Sequence, residues 1–122
     1  MATQTKTGKA FEYALLLEIF EKLNDKTQVS IVKNAPYETA KKCFLEFNET
    51  EQGGYRLTSS AAINFLIDVE PKLRNSINQN DVLEIEIVSD SRGQSGDVRD
   101  VLTVRTKQDW EIGISAKNNH RA

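Results

Sequence analysis

Near residue 80 the spacing of hydrophobic residues changes from a helical period to a strand period. Before it, Phe11, Leu15, Leu16, Ile19, Phe20 and Leu23 recur at three- and four-residue steps. They predict a helix over Ala10–Leu23 with Glu18, Glu21 and Lys22 on the polar face. Residues 1–7 carry no such stripe and read as a flexible lead-in. Val29–Val32 is a short apolar stretch that suits a strand. Pro36 suits the first position of a second helix running to about Phe47, with Ala40, Cys43, Phe44 and Phe47 on one side. Asn48–Gly54, closing on two glycines, reads as a loop. Thr58 or Ser59 offers a capping hydroxyl for a third helix whose inward positions would be Ala62, Phe65, Leu66 and Val69. Pro71 disturbs its end.

After the switch, Val82, Leu83, Ile85, Ile87 and Val88 alternate with Glu84 and Glu86 as a strand. Asp90–Gly96 is rich in turn residues. Asp100–Arg105 reads as a second strand, and Trp110–Lys117 alternates strictly as a third. The link 106–109 is short enough to make the last two strands an antiparallel hairpin. The fold class is therefore α+β, helices first and an antiparallel meander after, in a single domain of 122 residues.

Composition narrows the functional classes. Hydrophobic residues at 39% and charged residues at 28% fit a globular chain. One cysteine, Cys43, excludes an internal disulfide framework and a multi-cysteine zinc site. The longest apolar stretch, Ala14–Leu17, is far short of the roughly 20 residues of a membrane span. No signal peptide opens the chain, so the cytoplasm is the expected location. A net charge of −2 excludes a polybasic protein that holds nucleic acid by charge alone. Residues 91–122 are locally basic, with six bases against four acids, which a solvated strand pair would also show.

The hairpin holds the candidate chemistry. If Arg105 faces Trp110, Asp100 falls opposite Ser115, and Lys117 is the next residue on that face. A carboxylate, a hydroxyl and an ammonium would converge there. Asp97 has the opposite parity, and a bulge would reverse the choice between the two aspartates. Glu12 aligns with Leu16, Ile19 and Leu23 in the apolar stripe of the first helix. A carboxylate in that position either has a partner, such as a metal, or sits at the rim of the core near the helix start. Acidic oxygens around a hard cation suit magnesium. A nearby lysine suits phosphodiester hydrolysis. The same Asp–Lys pair can equally be a surface ion pair worth about 0–1 kcal/mol.

Three segments carry a resemblance: Gly8-Lys-Ala-Phe-Glu-Tyr-Ala14, Ser95-Gly-Asp-Val-Arg-Asp-Val-Leu102 and the run from Trp110 to His120. Together they resemble the N-terminal part of the HaeIII family of type II restriction endonucleases, within the PD-(D/E)xK nuclease superfamily. The resemblance runs from about Gly8 to the chain's end. It implies a restriction endonuclease-like core and Mg2+-dependent cleavage of double-stranded DNA at GGCC, beside a cognate DNA methyltransferase. By resemblance, Asp100 is the first metal carboxylate with Asp97 as fallback, Lys117 the motif lysine and Glu12 the helix glutamate. Ser115 stands where the motif has its second acid. Glu12 is the preferred substitute, with Ser115 holding a water; Glu111 lies too far along its strand. Arg99, Asn118, Asn119 and His120 are candidate DNA contacts.

The chain ends five residues after Lys117, whereas the superfamily core continues with a helix and at least one more strand. It is therefore expected to be an N-terminal piece, poorly active by itself. A palindromic target fits a homodimer or a monomer that cuts each strand in turn. Two readings compete with a nuclease. One is a catalytically inactive DNA-binding or inhibitory module of the same fold, and the other a small α+β interaction domain.

Overall fold

A computed structural model describes residues 2–88 and 100–114, with side chains described from Lys6. Helix α1 spans Ala2–Leu23, strand β1 Val29–Ile31, α2 Ala35–Leu45 and α3 Glu49–Val69. Strands β2 (Leu83–Ile87), β3 (Val101–Arg105) and β4 (Trp110–Ile114) follow. They form one four-stranded sheet in the order β1-β2-β3-β4. Strand β1 lies parallel to β2, and the other two pairings are antiparallel. The parallel pair has α2 and α3 in its crossover, because parallel neighbours cannot be joined by a tight turn. The class is α+β as the order of periods predicts, with β1 added to the three-stranded meander.

Helix α1 is the centre of the molecule. It packs on α2, on α3 and on β2 and β3 of the sheet. Ala10, Ala14, Leu16, Ile19 and Leu23 are buried in one core with Leu83, Ile85, Ile87 and Val101. With neighbours on several sides, its buried arc is wider than an ordinary amphipathic stripe. Tyr13, Leu15 and Glu18 are buried as well. Glu18, read from the sequence as solvent-facing, instead meets α3, where Arg56 Nε donates to its Oε2 at 2.8 Å. The same guanidinium reaches Glu21. The helix also starts at Ala2, well before Ala10. Its first turns lack apolar periodicity and so gave no sequence signal.

The segment 48–54 is not a loop. Asn48 caps α3: its side chain accepts from Glu51 N–H, and the Glu51 side chain accepts from Asn48 N–H. This reciprocal pair is a capping box, and it starts the helix ahead of the two glycines. Gly53 and Gly54 therefore lie within a helix, with open space where a Cβ would stand. The inward face also differs from the expected one. Ser59, Ile63 and Ile67 are buried, while Ala62, Phe65 and Val69 are exposed. Pro71 ends the helix as expected and opens a 3₁₀ turn, Pro71–Leu73. Cys43 is half-buried on α2, whose buried residues are Tyr37, Ala40 and Phe44. Among the described residues no helix is long and apolar enough to cross a membrane.

Arg105, the last residue of β3, is fully buried. Its Nε donates to Lys72 O, its Nη1 to Asp81 O at 3.0 Å, and its Nη2 to Leu73 O at 2.9 Å and Thr27 Oγ1 at 3.1 Å. Asp81, also fully buried, places Oδ1 3.7 Å from Nη1. Its Oδ2 accepts from Gln108 Nε2 at 2.6 Å and from Ile77 N–H at 2.9 Å. Burial pushes the Asp81 carboxyl up. The Gln108 and Ile77 hydrogen bonds and the Arg105 charge outweigh it and hold the group below the usual carboxylate value of 3.8.

Three outcomes follow from this packing. Arg105→Met leaves Asp81 buried without its cation and several acceptors without a donor, so urea unfolding should show a loss of about 3–5 kcal/mol. Because the folded-state value of Asp81 is depressed, its contribution is present above pH 3.8 and lost as pH falls through the lowered value. Asp81→Asn should therefore flatten that part of the acid limb of a stability–pH curve. Gly53→Ala and Gly54→Ala, each at an open helical position, should raise the melting free energy by roughly 0.5–1 kcal/mol apiece.

Candidate functional site

The β3–β4 hairpin has the register that a short link imposes. Arg105 pairs with Trp110, Thr103 with Ile112 and Val101 with Ile114. The link is a 3₁₀ turn, Thr106–Gln108, closed by Asp109 at φ 51° and ψ 48°. Aspartate is one of the few side chains that tolerate this left-handed conformation. Trp110 is half-buried against the core and anchors the start of β4. Gln108, from the same turn, donates to Asp81, so the closed end of the hairpin is tied to the Arg105 cluster.

The open end is where the candidate residues gather in sequence. Asp100 is half-buried and precedes β3. Its carbonyl accepts from Val88 N–H at 2.9 Å, in step with the β2–β3 register. Its own N–H donates to Ile114 O at 3.0 Å, although Ile114 is already the partner of Val101. Two residues of the β3 segment thus oppose one of β4, which is the pattern of a β-bulge. Such bulges bend the strand and re-aim a side chain. The backbone of Asp100 is held from both sides, by β2 and by β4. This pins a carboxylate-bearing residue on the rigid sheet rather than on a loose loop.

Glu12 lies on α1 at half burial, between half-buried Phe11 and buried Tyr13. It lies outside the fully buried arc and, ten residues after Ala2, away from the helix start, so the helix N-terminus does not account for it. Asp100 and Glu12 supply hard oxygen donors, the kind magnesium takes while retaining several waters. No group of three His, Cys, Asp or Glu side chains among the described residues is arranged to hold a metal ion. Glu111 pairs with Val104 and is exposed, well along β4 from the open end. Asp97, Arg99, Ser115, Lys117, Asn118, Asn119 and His120 lie outside the described residues, as does the turn-rich segment 90–96.

Sequence reasoning missed one support at this end of the sheet and one at the closed end. Glu86, read only as an alternating polar position, is half-buried on β2, and Asn34 Nδ2 donates to its Oε2 at 3.3 Å. Asn34 Oδ1 in turn accepts from Tyr37 N–H at 3.0 Å and caps α2. Neither this cap nor its reach across to β2 was read from the sequence, which offered only Pro36 as the helix start. Arg105 gave no sign of its burial, because all its partners come from distant segments.

Comparison with known proteins places this geometry. The family model described as HaeIII restriction endonuclease matches residues 8–122, which include every candidate residue named above. The type II restriction enzyme HaeIII of Haemophilus aegyptius is 33% identical over 115 residues, covering 94% of this chain and 35% of that enzyme. The chain therefore spans about a third of the length of the curated relative it matches. No solved structure matches it. A match from Gly8 to the final residue, together with identity above 30% over nearly the whole chain, establishes the lineage: the chain belongs to the HaeIII restriction endonuclease family.

Proposed function

We propose that this chain carries the catalytic hairpin of a type II restriction endonuclease. The reaction is magnesium-dependent hydrolysis of phosphodiester bonds in double-stranded DNA at a short palindrome, GGCC. The observation that carries the reading is Asp100, fixed by backbone hydrogen bonds to both neighbouring strands within a chain of this family. The printed name of the relative, a type II restriction enzyme, supports the same class of reaction.

In this reading Asp100 and Glu12 hold Mg2+; the bulge at Asp100 turns the strand-parity argument towards Asp97, which is therefore the alternative to Asp100. Bound there, the ion supplies neutralising charge at the scissile phosphate. Lys117 stands beside the attacking water and stabilises the extra negative charge that develops on the phosphoryl oxygens. Ser115, in place of the motif's second acid, positions a water. Arg99, Asn118, Asn119 and His120 contact the DNA backbone. The work is done in the cytoplasm beside a DNA methyltransferase that protects the host's own sites, by a homodimer or by a monomer acting twice. Ser115 also favours a second reading, a catalytically inactive DNA-binding or inhibitory module.

Plasmid cleavage with magnesium, using the protein as its gene encodes it, compares wild type with Asp100→Ala and Lys117→Ala. Wild type should give discrete fragments ending at GGCC, and each variant should lose about a hundredfold or more in rate. Fragments that survive both substitutions would sink the assignment. A folded wild type that binds DNA without cutting it would establish the inactive module. Manganese titration of the 122-residue chain should show binding weakened by both Asp100→Ala and Glu12→Gln.

A further inference from the structure

We propose that Lys9 contacts a backbone phosphate of the DNA held at the open end of the sheet. This inference rests on the nuclease reading and deepens it, by giving the substrate a contact on α1 as well as on the hairpin.

The sheet fixes the level of each part of α1. The helix ends at the closed end of the hairpin: Thr27 N–H donates to Leu23 O, and Thr27 Oγ1 accepts from Arg105. Asp100 stands five residues from Arg105, about 16 Å along the strand. Run along the strands, α1 covers that length in about eleven residues, from Leu23 back to Glu12. A ring contact gives the same level. Helix α2 starts just past β1, where its cap Asn34 reaches Glu86 near the end of β2. Tyr37, in the first turn of α2, has its ring 5.8 Å from that of Tyr13. Residues of α1 before Glu12 therefore overhang the open end. Helix α2 rises beside them, and its C-cap Glu46 pairs with Lys6.

Helical phase gives the side of α1 that Lys9 occupies. Helix α3 meets the side carrying Phe11, Glu18 and Glu21, through Tyr55 and Arg56. Helix α2 meets the side carrying Lys6 and Tyr13. The side left to the sheet is the line of Leu16, Ile19 and Leu23, buried in one core with Leu83, Ile85, Ile87 and Val101. Lys9 precedes Leu16 by seven residues and Leu23 by fourteen, and each step of seven turns only about 20°. It continues the sheet-facing line past the end of the sheet, at half burial, with Glu12 one turn nearer the core. Residues 1–11 hold two bases, Lys6 and Lys9, and no acid. Lys6 is turned to Glu46, which leaves Lys9 as the base this overhang presents over the open end. Lysine binds phosphate as a point charge and reads no sequence. Attraction between i,i+3 neighbours such as Lys9 and Glu12 is weaker than a charge-assisted bond to phosphate.

The test measures affinity for a GGCC-containing duplex against salt concentration, with magnesium withheld and the protein as its gene encodes it. Lys9→Gln should weaken binding about fivefold or more and lower the slope of log affinity against log salt by about one. Lys9→Arg should restore both. Lys107→Gln, an exposed lysine at the closed end, should change neither. Manganese titration should be the same for Lys9→Gln as for wild type, which separates a phosphate contact from damage to the metal site. A wild-type slope in Lys9→Gln would overturn this proposal and leave the nuclease reading standing. Equal losses in Lys9→Gln and Lys107→Gln would overturn it too, as an effect of overall charge. A wild type that binds no DNA would overturn the nuclease reading and this inference with it.

Discussion

One buried guanidinium joins the parts of this molecule that the chain keeps far apart. Arg105 ends β3, yet its donors reach Thr27 before β1, Lys72 and Leu73 after α3, and Asp81 before β2. Burying a cation is costly unless its hydrogen bonds are filled and its charge is matched. Here the planar fork finds three carbonyls, a hydroxyl and a carboxylate, which suits arginine and would leave lysine short of donors. Asp81 in turn holds Gln108, in the turn that closes the β3–β4 hairpin. A fault at Arg105 would therefore loosen the helix–sheet connections and the hairpin turn together.

That arrangement fixes the closed end of the hairpin, while the sheet fixes the open end. Asp100 is held by β2 through its carbonyl and by β4 through its N–H. Both anchors are backbone groups, so they survive replacement of the side chain. This makes Asp100 a position where carboxylate chemistry can be removed without disturbing its frame. Glu12 lies in a different layer, on the helix around which the core is built.

What the sequence revealed and what it hid follow from the range of the interactions. Local signals read true. The stripe of Leu16, Ile19 and Leu23, the strand alternation around Ile85, and the Arg105–Trp110 register all depend on near neighbours. The extra helix at 48–54 was hidden because Gly-Gly usually breaks a helix, whereas the Asn48–Glu51 capping box had already begun one. Glu18 was misplaced because a single-stripe picture fails for a helix enclosed by several elements. The bulge at Asp100 was named as the event that would alter the choice of aspartate, but nothing in the composition located it. For the candidate site, Asp100 and Glu12 were legible through resemblance, and their structural supports, Glu86 with Asn34 and the Arg105 cluster, were not.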